Sequence, residues 1–171
     1  EFYWRDMTVP IGVFDAGTFS IQKVDWKEEI GRAYLFWTPT TWLGLNGTYY
    51  YEQLDRGQTG VLDASEVTTH RVPLGANFFH PSGLSAMFKG TYYDQSGKFT
   101  GLTNFGTFTE VSNEFWVFNA AIGYRLPQRY GFLSVGATNL FDRSFHYFDS
   151  DYKNPAVQPV RTFFARVTLS L

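Results

Sequence analysis

Over residues 160–171 the chain reads Val-Arg-Thr-Phe-Phe-Ala-Arg-Val-Thr-Leu-Ser-Leu. Phe163, Ala165, Val167, Leu169 and Leu171 share one face of an extended chain, and Thr162, Phe164, Arg166, Thr168 and Ser170 share the other. A period of two is the signature of a strand that meets apolar surroundings on one side only. The sequence stops on the apolar face of this strand, without a polar tail. That is expected of a transmembrane β-barrel, whose strands need about 9–11 residues to cross a bilayer.

The same alternation recurs upstream. Ala33, Leu35 and Trp37 oppose Arg32, Tyr34 and Phe36, and Leu43, Leu45, Tyr49 and Tyr51 oppose Asn46, Thr48 and Tyr50. Val72, Leu74, Ala76 and Phe78 oppose Arg71, Gly75 and Asn77, and Leu84, Ala86, Phe88 and Tyr92 oppose Ser85, Lys89 and Thr91. Trp116, Phe118, Ala120, Ile122 and Tyr124 oppose Asn119, Gly123 and Arg125, while Leu133, Val135 and Ala137 mark a further strand over 130–140. The first third reads less clearly. Residues 1–9 carry no assignment, a weak strand is expected over 10–22, and the charged stretch 23–29 is expected to be a loop.

About eight strands follow from this, and their connections alternate in kind. Tight turns are expected at 38–41, 80–83 and 126–129, each with a proline, which presets φ and removes a donor. Long polar connections are expected at 55–66, 95–113 and 141–159. Short turns at one rim and long loops at the other are the outer-membrane barrel pattern. Pro39, Pro81, Pro127 and the C-terminus are nearly evenly spaced. A β-propeller also repeats, at about 40–45 residues per blade, but its strands are short and it carries Trp-Asp signatures that this chain lacks. A soluble lipocalin-like barrel would turn its apolar residues inward and would not need loops long on one side only.

Composition agrees. The 171 residues carry a net charge of −2, so no basic field points to nucleic acid. No run approaches the roughly 18 apolar residues of a membrane helix. Aromatic residues make up 20% of the chain, a surplus that interfacial girdles would use. Trp37, Trp42, Phe78 and Tyr124 lie beside the turns, and Tyr92 and Trp116 lie at the loop-side ends, as two belts would require. There is no cysteine, hence no disulfide or thiolate metal site. The chain begins at Glu1 with neither Met nor a signal peptide, and is expected to be mature, trimmed or a fragment.

Gly136-Ala137-Thr138-Asn139-Leu140-Phe141-Asp142-Arg143 resembles the Asn-Leu-Phe-Asp segment that leads from the penultimate strand into the last loop of TonB-dependent outer-membrane receptors. Arg161 matches an arginine of the final strand in that family. The stretches 31–39, 69–83 and 121–127 resemble the closing strands of receptor-like proteins with periplasmic tetratricopeptide repeats ahead of the barrel. The resemblance runs from about Lys27 to the end. It implies a barrel of about 22 strands, with a plug domain and TonB or a periplasmic repeat domain as partners. No plug, TonB box or repeat occurs in these residues, and the last residue is Leu where Phe or Trp is commoner in the family.

Other chemistry finds weaker support. Ser144, His146 and Asp149 could be read as nucleophile, base and orienter, but they sit on one loop without an oxyanion donor. Asp142, Asp149 and Asp151 could ligate calcium but lack an EF-hand spacing. His70, His80 and His146 are too scattered for zinc, and the loop glycines at 57, 60, 97, 101 and 106 match no phosphate-cradling motif.

The expectation is therefore an all-β, antiparallel, up-and-down transmembrane β-barrel segment of about eight strands, an arc of a larger barrel. Residues 1–171 would form its C-terminal portion, in a Gram-negative-type outer membrane. It would be the wall of a receptor-like transporter that moves or binds a substrate. No enzymatic activity and no cofactor are expected. The alternative is a self-contained eight-strand barrel acting as an anchor or adhesin. Arg71, Lys89, Asn119, Arg125 and Arg166 are the lumen-facing candidates, with lipid outside and the rest of the barrel supplied upstream or by another chain.

Overall fold

The computed structural model describes residues 1–15, 17–57, 64–100, 108–145 and 160–169. They form one sheet of eight antiparallel strands, each hydrogen-bonded to its neighbours in sequence. The strands are β1 (Phe2–Asp15), β2 (Thr18–Thr40), β3 (Leu43–Asp55), β4 (Ala64–Phe79), β5 (Leu84–Thr100), β6 (Phe108–Arg125), β7 (Gly131–Thr138) and β8 (Thr162–Leu169). No helix among the described residues is long and apolar enough to cross a membrane.

The strand count matches the sequence pattern; the first strand does not. The weak strand expected over 10–22 is two strands joined by a hairpin. β1 pairs with β2 from Phe2↔Gly31 to Asp15↔Thr18, and the reversal is made possible by Gly17 at φ +85°. The segment 23–29, expected to be a loop, is the middle of β2. It pairs on both sides, with β1 and, from Lys27, with β3. Its alternation is charged against apolar, with Lys23, Asp25, Lys27 and Glu29 on one side and Val24 and Trp26 on the other, so the usual apolar signal is diluted.

The strands also outrun the expected loops. β5 and β6 stay paired as far as Thr100↔Phe108, within what reads as a Gly- and Thr-rich loop. The turn expected at 38–41 falls later. β2 continues to Thr40, and Pro39 lies in an irregularity of the β2–β3 register between Trp37 and Thr40, where its missing N–H costs no ladder bond. A further proline, Pro73, sits inside β4. Partners with β3 are present at Gly47↔Leu74 and Tyr50↔Arg71 but not between them, as expected of a residue with no N–H to donate.

Two other turns are tightly built. His80 N–H donates to Leu84 O (2.8 Å), Gly83 N–H to His80 O (3.0 Å), and Arg125 N–H to Gly83 O (2.9 Å), which ties the β4–β5 turn to the end of β6. Gly83 holds φ +92°, and a Cβ there would lie 2.8 Å from Arg125 O. The β6–β7 connection is a short 3-10 turn, Pro127–Arg129.

β1 and β8 are the two edges, and no ladder joins them among the described residues. β1 starts opposite Gly31 and Glu1 still exchanges two backbone bonds with Arg32 (2.8 and 2.9 Å), so 33–40 of β2 also present an edge without a partner there among the described residues.

Gly83→Val should lower stability by about 1–3 kcal/mol through backbone strain alone, with a further cost from the contact with Arg125 O. Urea unfolding of the folded protein in detergent, followed by tryptophan fluorescence, checks it; an unchanged midpoint would contradict the turn geometry.

Candidate functional site

Paired residues of an antiparallel ladder lie on the same face, so the registers sort the sheet into a front and a back. On the front, four successive rows nearest the turns are apolar. Leu84, Tyr124, Leu133 and Val167 form the first. Leu43, Phe78, Ala86, Ile122, Val135 and Ala165 form the second, with the uncharged Thr40 paired to Leu43 at its β2 end. Trp37, Leu45, Ala76, Phe88, Ala120, Ala137 and Phe163 form the third. Leu35, Gly47, Leu74, Gly90 and Phe118 form the fourth. No charged residue interrupts them. They are not the interior of the molecule: Ile122 is 56% exposed and Val135 58%.

Further up the same face the chemistry changes. Tyr92 pairs with Trp116 and Ala33 with Tyr49. The next row is Gly31, Tyr51, His70, Asp94 and Glu114, and above it come Glu29, Gln53, Thr68, Ser96 and Ser112, then Lys27, Asp55, Glu66, Lys98 and Glu110. The boundary residues bond upward. Tyr92 OH donates to Glu114 Oε2 (2.9 Å) and Tyr49 OH meets His70 Nδ1 at 2.7 Å. Higher still, Lys98 Nζ lies 3.0 Å from Glu66 Oε2, and that carboxylate holds the Lys98 ammonium pKa above its ordinary value.

The expected girdle residues fall where the rows place them. Trp37, Phe78, Tyr92, Trp116 and Tyr124 stand on the front. Trp42 lies in the β2–β3 turn, stacked on Phe78 with ring centres 6.2 Å apart. Between Trp116 and Tyr124 run about 27 Å of strand at ~3.4 Å per residue. At the tilt of about 35–45° usual for membrane barrels that length would rise roughly 19–22 Å, somewhat short of an apolar band about 25 Å tall.

The back face is different. Arg71, Lys89, Asn119, Arg125 and Arg166 all lie on it, in register with Tyr50, Asn119, Lys89, Phe132 and Ser134 respectively. One row crosses five strands as Arg32, Tyr50, Arg71, Tyr93 and Phe115. The Arg71 guanidinium lies 4.3 Å from the Tyr50 ring centre, and that of Arg32 lies 5.3 Å from Tyr50 and 5.5 Å from Tyr34. Alternation puts Arg32 and Tyr50 on one face, but only the register puts them side by side with Arg71. At its β6 end this row is covered. Phe115, 4% exposed, stacks between Tyr93 (4.9 Å) and Phe145 (4.5 Å), and Gln95, 0% exposed, donates to Thr69 Oγ1 (2.9 Å).

The segment resembling Asn-Leu-Phe-Asp is a hydrogen-bonded knot. Asn139, at φ 48° and 3% exposed, donates from its backbone to Asn119 Oδ1 (2.9 Å). Its side chain bonds Arg143 twice, Nδ2 to the carbonyl and Oδ1 from the N–H, each at 2.9 Å. Asp142, at φ 54°, accepts from Arg161 N–H (2.8 Å), fixing the start of β8. Asn119 therefore tethers this turn as well as lining the back face.

Of the alternative chemistries, His146, Asp149 and Asp151, with the loop glycines at 60, 101 and 106 and the terminal Leu171, lie outside the described residues. Among the described residues no group of three His, Cys, Asp or Glu could hold a metal. The chain matches no family model, no curated protein and no solved structure.

Val135→Lys, on the apolar front, should cost about 2–4 kcal/mol in lipid, and Thr48→Lys, on the back, much less. Equal penalties, measured by urea unfolding in vesicles, would show that the faces are assigned wrongly. Asn139→Ala should cost about 1–3 kcal/mol, because it leaves buried donors and acceptors of the knot unpaired; the same measurement checks it.

Proposed function

We propose that the chain is part of the wall of an outer-membrane β-barrel resembling a TonB-dependent receptor, which binds or moves a substrate across that membrane. The observation that supports this best is the change of chemistry along one face of one sheet. Four rows without a charge give way, across a line of Tyr49, Tyr92 and Trp116, to three rows rich in Asp, Glu and Lys. A soluble sheet that buried its front would be apolar along its whole length, and one that exposed it would be polar along its whole length. A bilayer surface meeting the sheet partway up accounts for the sharp boundary and for the aromatic residues on it.

In this reading the front meets lipid, the back lines the lumen, and the short turns at Ser82 and Gln128 face the periplasm. The long strands carry the polar rows above the outer surface. Both sheet edges would need partners, because an open backbone edge in hydrocarbon leaves each N–H and C=O unsatisfied. An arc of a larger barrel provides for that. A self-contained eight-strand barrel would require β8 to pair with β1, and the two lie at opposite ends of the sheet.

The absence of cysteine makes a clean test of orientation. In the full-length protein on intact cells, Lys98→Cys should react with a membrane-impermeant maleimide, and Ser82→Cys should react only after the outer membrane is opened. Labelling of Ser82→Cys alone on intact cells would overturn the orientation. Recovery of the protein entirely outside the outer-membrane fraction would overturn the wall itself.

A further inference from the structure

The strands' back face carries an imbalance of charge. From the row of Arg32, Tyr50, Arg71, Tyr93 and Phe115 down to the turns, it presents Arg32, Arg71, Lys89, Arg125 and Arg166 and not one Asp or Glu among the described residues. The nearest carboxylate on this face is Glu52, one step above the row, 3.8 Å from Arg71. No other ion pair is formed by these five cations among the described residues. Cations held against a low-dielectric wall must be solvated or answered by opposite charge. On the strands only Glu52 answers them, and it pairs with Arg71, so Arg32, Lys89, Arg125 and Arg166 face no carboxylate of the described residues.

The row is also arranged to receive a ligand. Tyr50 is flanked by Arg32 on β2 and Arg71 on β4, two strands apart and hence about 9–10 Å between backbones. Both guanidiniums rest near its ring. Such stacking orients the planar fork and leaves its N–H groups free to form the paired bonds that suit carboxylate and phosphate oxygens. Lys89 lies four residues below the Arg71 row along β5, and Arg125 and Arg166 lie near the turn rim. The cations thus recur at successive depths, an arrangement that concentrates anions along a surface.

We propose that this back face is a binding track for small anionic solutes bearing carboxylate or phosphate groups, with Arg32, Tyr50 and Arg71 as its upper site. The proposal rests on the wall reading, since that makes the back face a lumen, and it names the class of solute that the lumen accepts.

The test uses the full-length protein containing this chain, in detergent micelles at low salt, with citrate and pyrophosphate as separate probes in equilibrium dialysis. Binding of either anion is expected, and binding of only one identifies which of the two chemistries is accepted. The double variant Arg32→Gln/Arg71→Gln should weaken binding at least about tenfold, the scale of one charge-assisted hydrogen bond. Arg32→Lys/Arg71→Lys should bind more tightly than the Gln pair, and Lys98→Gln on the front should bind as the wild type does. Heat-modifiable gel mobility reports whether each variant is a folded barrel; if the Gln pair fails to fold, Lys89→Gln carries the same comparison. Binding of neither probe by the wild type, as when an acidic polypeptide segment occupies the row, overturns the proposal. So does equal binding by the folded Gln variant. Anion binding by a protein found outside the outer membrane would instead sink the wall reading and leave the anion site standing.

Discussion

The hydrogen-bond ladder that links each strand to the next is what the rest of this structure depends on. Among the described residues no second layer and no helix bundle holds the strands, and a chain without cysteine has no disulfide to do so. Wherever apolar side chains surround the backbone, an unpaired N–H or C=O costs several kcal/mol, so register is fixed strongly. A slip of one residue would turn Ile122 and Val135 to the back and Asn119 and Arg166 to the front. The exceptions among the described residues are few and local: the irregularity at Pro39, a register shift between Ala64 and Glu66, the interruption at Pro73, and the two edges. Those edges are the reason the proposed wall needs neighbours.

Given the ladder, the two faces can be made for different surroundings. The front keeps charge out of its lower rows and collects it in its upper ones. The back keeps cations at the same depth where the front has none. This is an arrangement that neither a soluble core nor a solvent-exposed sheet calls for. The two faces meet in the knot at Asn139, where Asn119 holds the turn that leads off β7 and Asp142 receives the start of β8. The side chain that faces the lumen in the proposed reading is thus also one that positions the last strand.

Alternation made the lower half of the sheet legible. From Arg32 onward the faces of every strand follow from a period of two, because there one side is wholly apolar. Above the boundary the contrast fades: Lys23 to Glu29 on β2, and Ser96 and Lys98 on β5, read as loop because their front is charged. What no single strand can reveal is register, and the Arg32–Tyr50–Arg71 row exists only through it. Similarly, Asn139 stands out in sequence as part of a resemblance, whereas its hydrogen bonds to Asn119 and Arg143 come from folding.

The central claim is that a bilayer surface crosses the front face at the level of Trp116. Single cysteines placed along the front of β6 at positions 110, 112, 114, 118, 120 and 122, each carrying a fluorescent label, test it in vesicles of brominated lipid. The account predicts strong quenching at 118, 120 and 122, little at 110, 112 and 114, and a single change between 114 and 118. Uniform quenching along the strand, or none anywhere, would contradict it.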